Sequence, residues 1–122
     1  FSIVAYKHTK ALIEAGKTIC VFYEGGITDN TEHYIKSVRS GIAFMSMINH
    51  APVIPMMIIK RKSKLHRTNI VIGEQIRLYE IFNDHPSEST ISEACQYLKQ
   101  KSNELLDYYN NVYLTLNKRR SK

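Results

Sequence analysis

Short apolar runs that alternate with helical patterns constrain the fold of this chain more than any other feature. Residues 18–22 form a continuous, β-branched apolar run, which is typical of a strand covered on both faces. Residues 53–59 and 69–72 are two further candidate strands, and Gly73 ends the last one. Because Pro55 cannot donate a hydrogen bond to a neighbouring strand, we expect an irregularity or a one-sided pairing in the second run.

Helical patterns lie before, between and after these runs. Residues 3–15 carry apolar side chains on one side, and Gly16 follows as a natural C-terminal stop. Residues 34–49 also fit a helix, and the segment "GIAFMSMI" within it is apolar nearly all round, which predicts burial. Residues 89–117 predict a long amphipathic helix.

The long C-terminal pattern has a defined start and a defined apolar stripe. Thr90 and Glu93 have the spacing of a capping box. Ser102 is the one polar gap in a stripe made of Ile91, Cys95, Leu98, Leu105, Tyr109, Val112 and Leu116. The element order predicts an α/β fold: a layered domain with a short mixed, partly parallel sheet flanked by helices, ending in this long helix.

Composition indicates folded globular protein. The chain has 122 residues, of which 43% are hydrophobic and 23% charged, so it is one domain or part of one. Its longest apolar stretches fall short of the roughly 18 residues that a membrane-spanning helix needs. Cys20 and Cys95 are predicted to be buried free thiols. No cysteine or histidine spacing fits a zinc site, so we expect no metal. We also expect no cofactor.

The net charge of +6 is concentrated in two places. Residues 60–67, "KRKSKLHR", contain five lysines and arginines and no acid, and residues 118–122 contain four more. A basic surface of this kind can bind anionic lipid, nucleic acid or a phosphorylated substrate. The alternative for each cluster is a solvated loop or tail.

The stretch "KTICVFYEGGITDN", residues 17–30, is the candidate site. The apolar run ends on Tyr23, Glu24, Gly25 and Gly26. In α/β sheets, ligands bind beyond the C-terminal ends of strands, and glycines there offer backbone N–H groups without a side chain in the way. A glycine pair after a strand is also a common turn, so the pattern by itself leaves both interpretations open.

Residues 11–57 resemble the glycerolipid acyltransferase family, which includes the 1-acylglycerol-3-phosphate acyltransferases. The family's Phe-Pro-Glu-Gly-Thr-Arg-Ser strand end is similar to "FYEGGIT", residues 22–28. Its Phe-Lys-x-Gly helix start is similar to "VRSG", residues 38–41, and its Pro-Ile-Val-Pro-Val strand is similar to "PVIPM", residues 52–56. Beyond this region, "NIVIGEQI" is similar to a strand and glycine that recur before the family's last helix.

The resemblance implies roles for five residues. Glu24, Gly25 and Gly26 would shape the pocket for the phosphoglycerol acceptor. Arg39, in the place of the helix-start lysine, would neutralise the phosphate, for which a planar guanidinium is well suited. Pro55 and its apolar neighbours would form the wall behind the site.

The sequence departs from the family at three points. The motif arginine and proline are replaced by Ile27 and Tyr23. The catalytic His-x-x-x-x-Asp motif, in which histidine is the general base, is absent, since no histidine has an aspartate five residues later. In the family that motif precedes the glutamate strand. Residues 1–117 are therefore interpreted as the C-terminal part of an acyltransferase domain, with 118–122 as a basic tail and the catalytic pair expected before Phe1.

The implied function is transfer of a fatty acyl group from an acyl thioester to a lysophospholipid such as 1-acylglycerol-3-phosphate, in phospholipid biosynthesis. The co-substrate would be acyl-CoA or acyl-carrier protein, and the basic clusters would hold the enzyme on an anionic bilayer at the cytoplasmic face of a membrane, with no role for nucleic acid. The alternative is a non-catalytic basic module that binds anionic lipid or nucleic acid. It rests on the net charge and the missing catalytic pair.

Overall fold

The computed structural model describes residues 3–22, 35, 37–59 and 69–113. Within them, two helices precede a β-hairpin and two helices follow it. The elements are helix α1 (Ile3–Glu14), helix α2 (Ser40–Ile48), strand β1 (Met56–Ile59), strand β2 (Asn69–Ile72), the short helix α3 (Leu78–Ile81) and the long helix α4 (Glu88–Tyr108), which continues into a π-helical turn at Tyr109–Tyr113.

The first helix ends as the sequence predicts. Gly16 has a φ of 78°, in the left-handed region. Its N–H donates to the carbonyl of Ile13 at 2.9 Å, and the N–H of Lys17 donates to the carbonyl of Leu12 at 3.0 Å. These two bonds form a Schellman motif, in which glycine avoids the steric cost of positive φ. The helix itself is little covered, since none of its twelve residues, all of which the structure describes, is buried.

The strand predicted at residues 18–22 is wrong. The described residues 17–22 have no regular secondary structure, and Phe22 is 76% exposed. Within the described part of the chain, the sheet consists of β1 and β2 alone, so this run has no strand partner there. The predicted burial of Cys20 is wrong for the same reason, because the residue lies in this exposed segment.

The sheet that forms is an antiparallel hairpin. Its register places Met56 opposite Ile72 and Ile58 opposite Ile70. Strand β2 occupies the predicted residues, whereas the run at 53–59 divides as expected at Pro55: an isolated bridge joins Val53 to Ile76, and β1 begins only at Met56. The partly parallel, layered sheet of the predicted α/β fold is not found among the described residues, which combine helices with this small antiparallel sheet.

The core lies where α2 and α3 meet α4. Helix α2 starts at Ser40, later than predicted, and its apolar segment is buried as expected. Rings at the rim extend the packing, with Phe82 and Tyr97 in an edge-to-face contact at 5.8 Å between centroids. The central cluster consists of Ala43, Met47, Val53, Ile76, Leu78, Ala94 and Leu98.

Helix α4 confirms the predicted long amphipathic helix but begins earlier. Ser87 is the N-cap, and its hydroxyl accepts a hydrogen bond from the N–H of Thr90 at 3.3 Å. The predicted capping box of Thr90 and Glu93 is therefore wrong, since Thr90 is already the third helical residue. Ser102 is fully buried in the stripe, and its hydroxyl has no hydrogen-bond partner among the described residues.

Candidate functional site

Two of the five residues predicted to bind substrate belong to the described part of the chain. Arg39 and Pro55 have defined positions, whereas Glu24, Gly25 and Gly26 lie outside the described residues. The described part of the candidate site therefore consists of the segment that leads into α2 and the neighbourhood of Pro55.

Arg39 stands at the start of α2, as the motif predicts. It is the N-cap residue, with extended backbone angles (φ −67°, ψ 139°), and it is exposed. Its carbonyl oxygen lies 3.9 Å from the Sγ of Cys95 on α4, a long contact to a weak thiol donor. Burial raises the pKa of Cys95, which favours the protonated thiol that this contact needs. The backbone of Arg39 is thus held against α4 while its side chain faces outward.

A second contact holds the same segment four residues earlier. The side-chain oxygen of Asn103 accepts from the N–H of Ile35 at 2.9 Å, and its side-chain nitrogen donates to the carbonyl of Ile35 at 3.2 Å. Asn103 therefore pairs with both the backbone N–H and the backbone carbonyl of Ile35, which lies 68 residues earlier in the chain. The sequence contains no signal for this contact, because an asparagine on an exposed-looking helix position is ordinary.

Pro55 is buried and lies in the wall of a cleft of about 330 Å³. Its Cγ would lie 2.9 Å from a Cβ built on Gly73, so the absence of a side chain at Gly73 is what lets the two strands' ends approach. The predicted role of Pro55 as a wall is compatible with this position. The cleft is lined by Pro55, Glu74, Gln75, Ile76, Arg77, Glu80, Ile81, Tyr97 and Lys101.

Both cations in the lining of this cleft, Arg77 and Lys101, lie close to carboxylates. Nη1 of Arg77 lies 3.4 Å from a carboxylate oxygen of Glu80, and Nζ of Lys101 lies 3.5 Å from one of Glu104. Lys101 also sits over the ring of Tyr97, 5.5 Å from its centroid. An anion would have to compete with these carboxylates. Because Arg39 is not in the cleft lining, the structure does not bring the two described site residues into one pocket.

A histidine and an aspartate that sequence reasoning did not pair meet on the surface. Nε2 of His50, in the turn after α2, lies 3.0 Å from Oδ2 of Asp84, and the ring of His50 stacks on Tyr79 at 4.7 Å. His85 adds a second nitrogen, 3.7 Å from Oδ1 of the same carboxylate. The hydrogen bond with His50 lowers the pKa of Asp84.

This pair differs from the family's catalytic motif in spacing and in setting. The two residues are 34 positions apart in the chain, and the histidine comes before α3 rather than before a glutamate strand. Both side chains are about half exposed. Water at such a surface weakens the electrostatic support that a general base draws from its carboxylate, so the geometry indicates an ordinary surface hydrogen bond.

The described residues contain neither a cluster of metal-binding side chains nor a membrane-spanning helix. Among them, no group of three or more histidine, cysteine, aspartate or glutamate side chains could hold a metal ion. No helix in the described ranges is both long enough and apolar enough to cross a bilayer.

Part of the chain matches the model of a known protein family. The family model described as acyltransferase matches residues 2–59, which run from α1 through the Glu24 stretch and α2 to the end of β1. This match confirms the resemblance seen in the motifs: nearly half of the chain is similar to the acyltransferase family, and the match supports acyl transfer as the class of reaction. No curated protein and no solved structure matches the chain. The similarity of residues 69–76 to the family stays a prediction, since they lie beyond the matched region.

Proposed function

We propose that the protein serves in the transfer of a fatty acyl group from an acyl thioester to the hydroxyl of a lysophospholipid, with 1-acylglycerol-3-phosphate as the representative acceptor. The observation that carries the proposal is the acyltransferase match at residues 2–59, which contains the Glu24 stretch, Arg39 and Pro55. The acyl donor would be acyl-CoA or acyl-carrier protein. The reaction belongs to phospholipid biosynthesis at the cytoplasmic face of a membrane.

The proposal divides the chemistry between two sets of groups. Glu24, Gly25 and Gly26 shape the acceptor pocket, Arg39 binds the phosphate, and Pro55 supports the pocket from behind. A histidine of a His-x-x-x-x-Asp motif, which the 122 residues do not contain, accepts the hydroxyl proton. The oxygen then attacks the thioester carbonyl, the carbon–sulfur bond breaks, and the thiolate leaves. Because the general base is missing, residues 1–122 alone are expected to bind acceptor without turning it over.

The position of Arg39 supports its part in the proposal. An exposed side chain at the N-cap of α2 lies beside the positive end of the helix dipole, and both features favour a phosphate. The contact of Cys95 with the carbonyl of Arg39 and the hydrogen bonds of Asn103 with Ile35 join this part of the backbone to α4.

The test is calorimetric titration of the chain with a short-chain, monomeric lysophosphatidate. Arg39→Ala should weaken binding by about tenfold or more, the value of a charge-assisted hydrogen bond. Lys7→Ala is the matched control: it removes the same charge from exposed α1 and should leave the affinity unchanged. Neutral monoacylglycerol should bind less tightly than lysophosphatidate. Equal losses in both variants, or equal affinity for the neutral lipid, would contradict phosphate recognition at Arg39.

A further inference from the structure

The outer face of the β-hairpin is apolar and exposed. Side chains alternate along each strand, so that Met57 is buried on the side of α4 while the neighbouring residues point away from it. The register sets these outward residues opposite each other in two cross-strand pairs, Met56 with Ile72 and Ile58 with Ile70. Ile54 continues the same alternation before β1. We call the set Ile54, Met56, Ile58, Ile70 and Ile72 the outer face.

The outer face is apolar, whereas the solvated face of an antiparallel sheet is commonly polar. Each of its five side chains is about half exposed or more, with Ile58 at 59% and Ile72 at 63%. Together they expose an area on the order of 500 Å², in the range where the largest apolar patch of a monomer is often functional. A stable interface between two proteins buries about 800 Å² per partner, which is more than this face offers to a second copy of the chain.

The sequence that joins the two strands indicates what covers this face. Strand β1 ends at Ile59 and β2 begins at Asn69, so the residues between them connect the hairpin. They include five lysines and arginines and no aspartate or glutamate. Apolar side chains next to concentrated positive charge are the combination that binds the interface of an anionic bilayer, where each cation contributes about 1 kcal/mol.

We propose that the outer face docks on an anionic lipid bilayer, with its aliphatic side chains at the boundary between head groups and acyl chains. This inference rests on the proposed function for its biological sense, because a lysophospholipid acceptor resides in a membrane. Its physical basis is separate: the register, the exposure and the charge of the hairpin. The proposal adds an apolar contact to the electrostatic attraction of the basic clusters, and this contact defines which face of the hairpin meets the bilayer.

The experiment uses the absence of tryptophan from the sequence. Single tryptophans are introduced as Ile58→Trp and Ile70→Trp on the outer face, and as Ile81→Trp on α3. Ile81 is the matched control because it is 47% exposed, close to Ile70 at 53%, but lies on another element. Each variant is mixed with phosphatidylcholine vesicles, with and without phosphatidylglycerol, whose acyl chains carry bromine as a contact quencher. Circular dichroism and melting curves verify that each variant is folded.

The proposal expects quenching of the tryptophans at positions 58 and 70, none at 81, and a stronger effect with phosphatidylglycerol that weakens as salt is added. In the companion measurement, Ile58→Asn should reduce partitioning onto anionic vesicles by about tenfold, whereas Ile81→Asn should not change it. Protein that sediments with vesicles while position 58 stays unquenched would overturn the proposal. So would the absence of vesicle binding, or dimerisation with rising concentration that Ile58→Asn abolishes.

These outcomes are separable from the titration with monomeric lysophosphatidate. That titration contains no vesicles and probes Arg39, so it can fail while quenching succeeds. Loss of quenching with intact lysophosphatidate binding would overturn only the docking face.

Discussion

The first twenty described residues and the region from α2 to the π-helical turn use apolar side chains in opposite ways. In α1 and the segment after it, Ile3, Val4 and Phe22 are each at least 74% exposed. In α4, Ala94 and Leu98 are fully buried because α2 and α3 present apolar surfaces to them. An apolar pattern thus does not by itself ensure burial, which depends on the surfaces that the rest of the chain supplies.

The boundary of the acyltransferase match sharpens this comparison. The match contains α1, α2 and β1, and ends before β2, α3 and α4. The elements that bury α2 and β1 therefore lie beyond the matched region. Helix α1, inside it, has no buried residue and meets α2 in a ring contact of Tyr6 with Phe44 at 5.9 Å. Four measurements can break or sharpen the contrast.

The largest expected effect is on core packing. Leu98→Ala removes a fully buried side chain and should lower the free energy of unfolding by about 2–5 kcal/mol. Leu12→Ala makes the same chemical change in α1, where the side chain is 37% exposed, and should cost less than about 1 kcal/mol. Urea unfolding followed by circular dichroism measures both. Similar losses at the two positions would mean that α1 is packed as tightly as α4.

The next effect is at the end of the hairpin. A Cβ on Gly73 would lie 2.9 Å from Cγ of Pro55 and 3.3 Å from Cδ2 of Leu105. Gly73→Ala should therefore cost about 1–3 kcal/mol through overpacking. The proline ring is the rigid neighbour, so a double-mutant cycle with Pro55→Ala should show a favourable coupling. If the stability losses of the two substitutions simply added, the strain in Gly73→Ala would not come from its contact with the ring of Pro55.

An effect of similar size is expected where α4 holds the segment before α2. Asn103→Leu removes both hydrogen bonds to the backbone of Ile35 and should cost about 1–3 kcal/mol. It should also speed hydrogen exchange at the Ile35 amide. Gln100→Leu is the control, because that amide bonds only to Glu104 on the same helix among the contacts described. An unchanged rate of hydrogen exchange at the Ile35 amide in Asn103→Leu would contradict the hydrogen bonds between Asn103 and Ile35.

The smallest effect concerns the surface pair of His50 and Asp84. The pKa of Asp84 is lowered from 3.8 in the folded protein, so the pair adds stability above the pKa of the unfolded chain. That contribution is lost as the pH falls through the lowered, folded value. Asp84→Asn should be slightly less stable than the parent near pH 6 and equal to it at strongly acid pH, as measured by urea unfolding. If the stability difference between Asp84→Asn and the parent grew as the pH fell, the pKa of Asp84 could not be lowered in the folded protein.

Local signals in the sequence were sufficient for some features of the fold. The Schellman stop at Gly16 follows from glycine's tolerance of positive φ, and the division at Pro55 follows from its missing N–H. Strand β2 and the long helix α4 were likewise predictable from periodicity. Each of these depends on residues within a few positions of one another.

Features that depend on distant residues could not be predicted. A continuous apolar run at residues 18–22 predicts a strand only if partners exist to pair with it and cover it. The contacts of His50 with Asp84 and of Asn103 with Ile35 join positions 34 and 68 residues apart, through residue types that are common on any surface. The placement of Arg39 at the start of α2 was predictable because a family motif, rather than periodicity, indicated it.

The contact between Asn103 and Ile35 has a consequence for how this protein can vary. The carboxamide of Asn103 carries an N–H donor and a carbonyl acceptor, as a peptide group does. It therefore bonds only to the main chain of residue 35 and not to its side chain. Any residue except proline would satisfy it there, while position 103 admits neither aspartate, which lacks the donor, nor leucine, which lacks both groups. Homologous sequences should therefore keep asparagine at one end of the contact and vary freely at the other, and covariation between the two positions would not detect it.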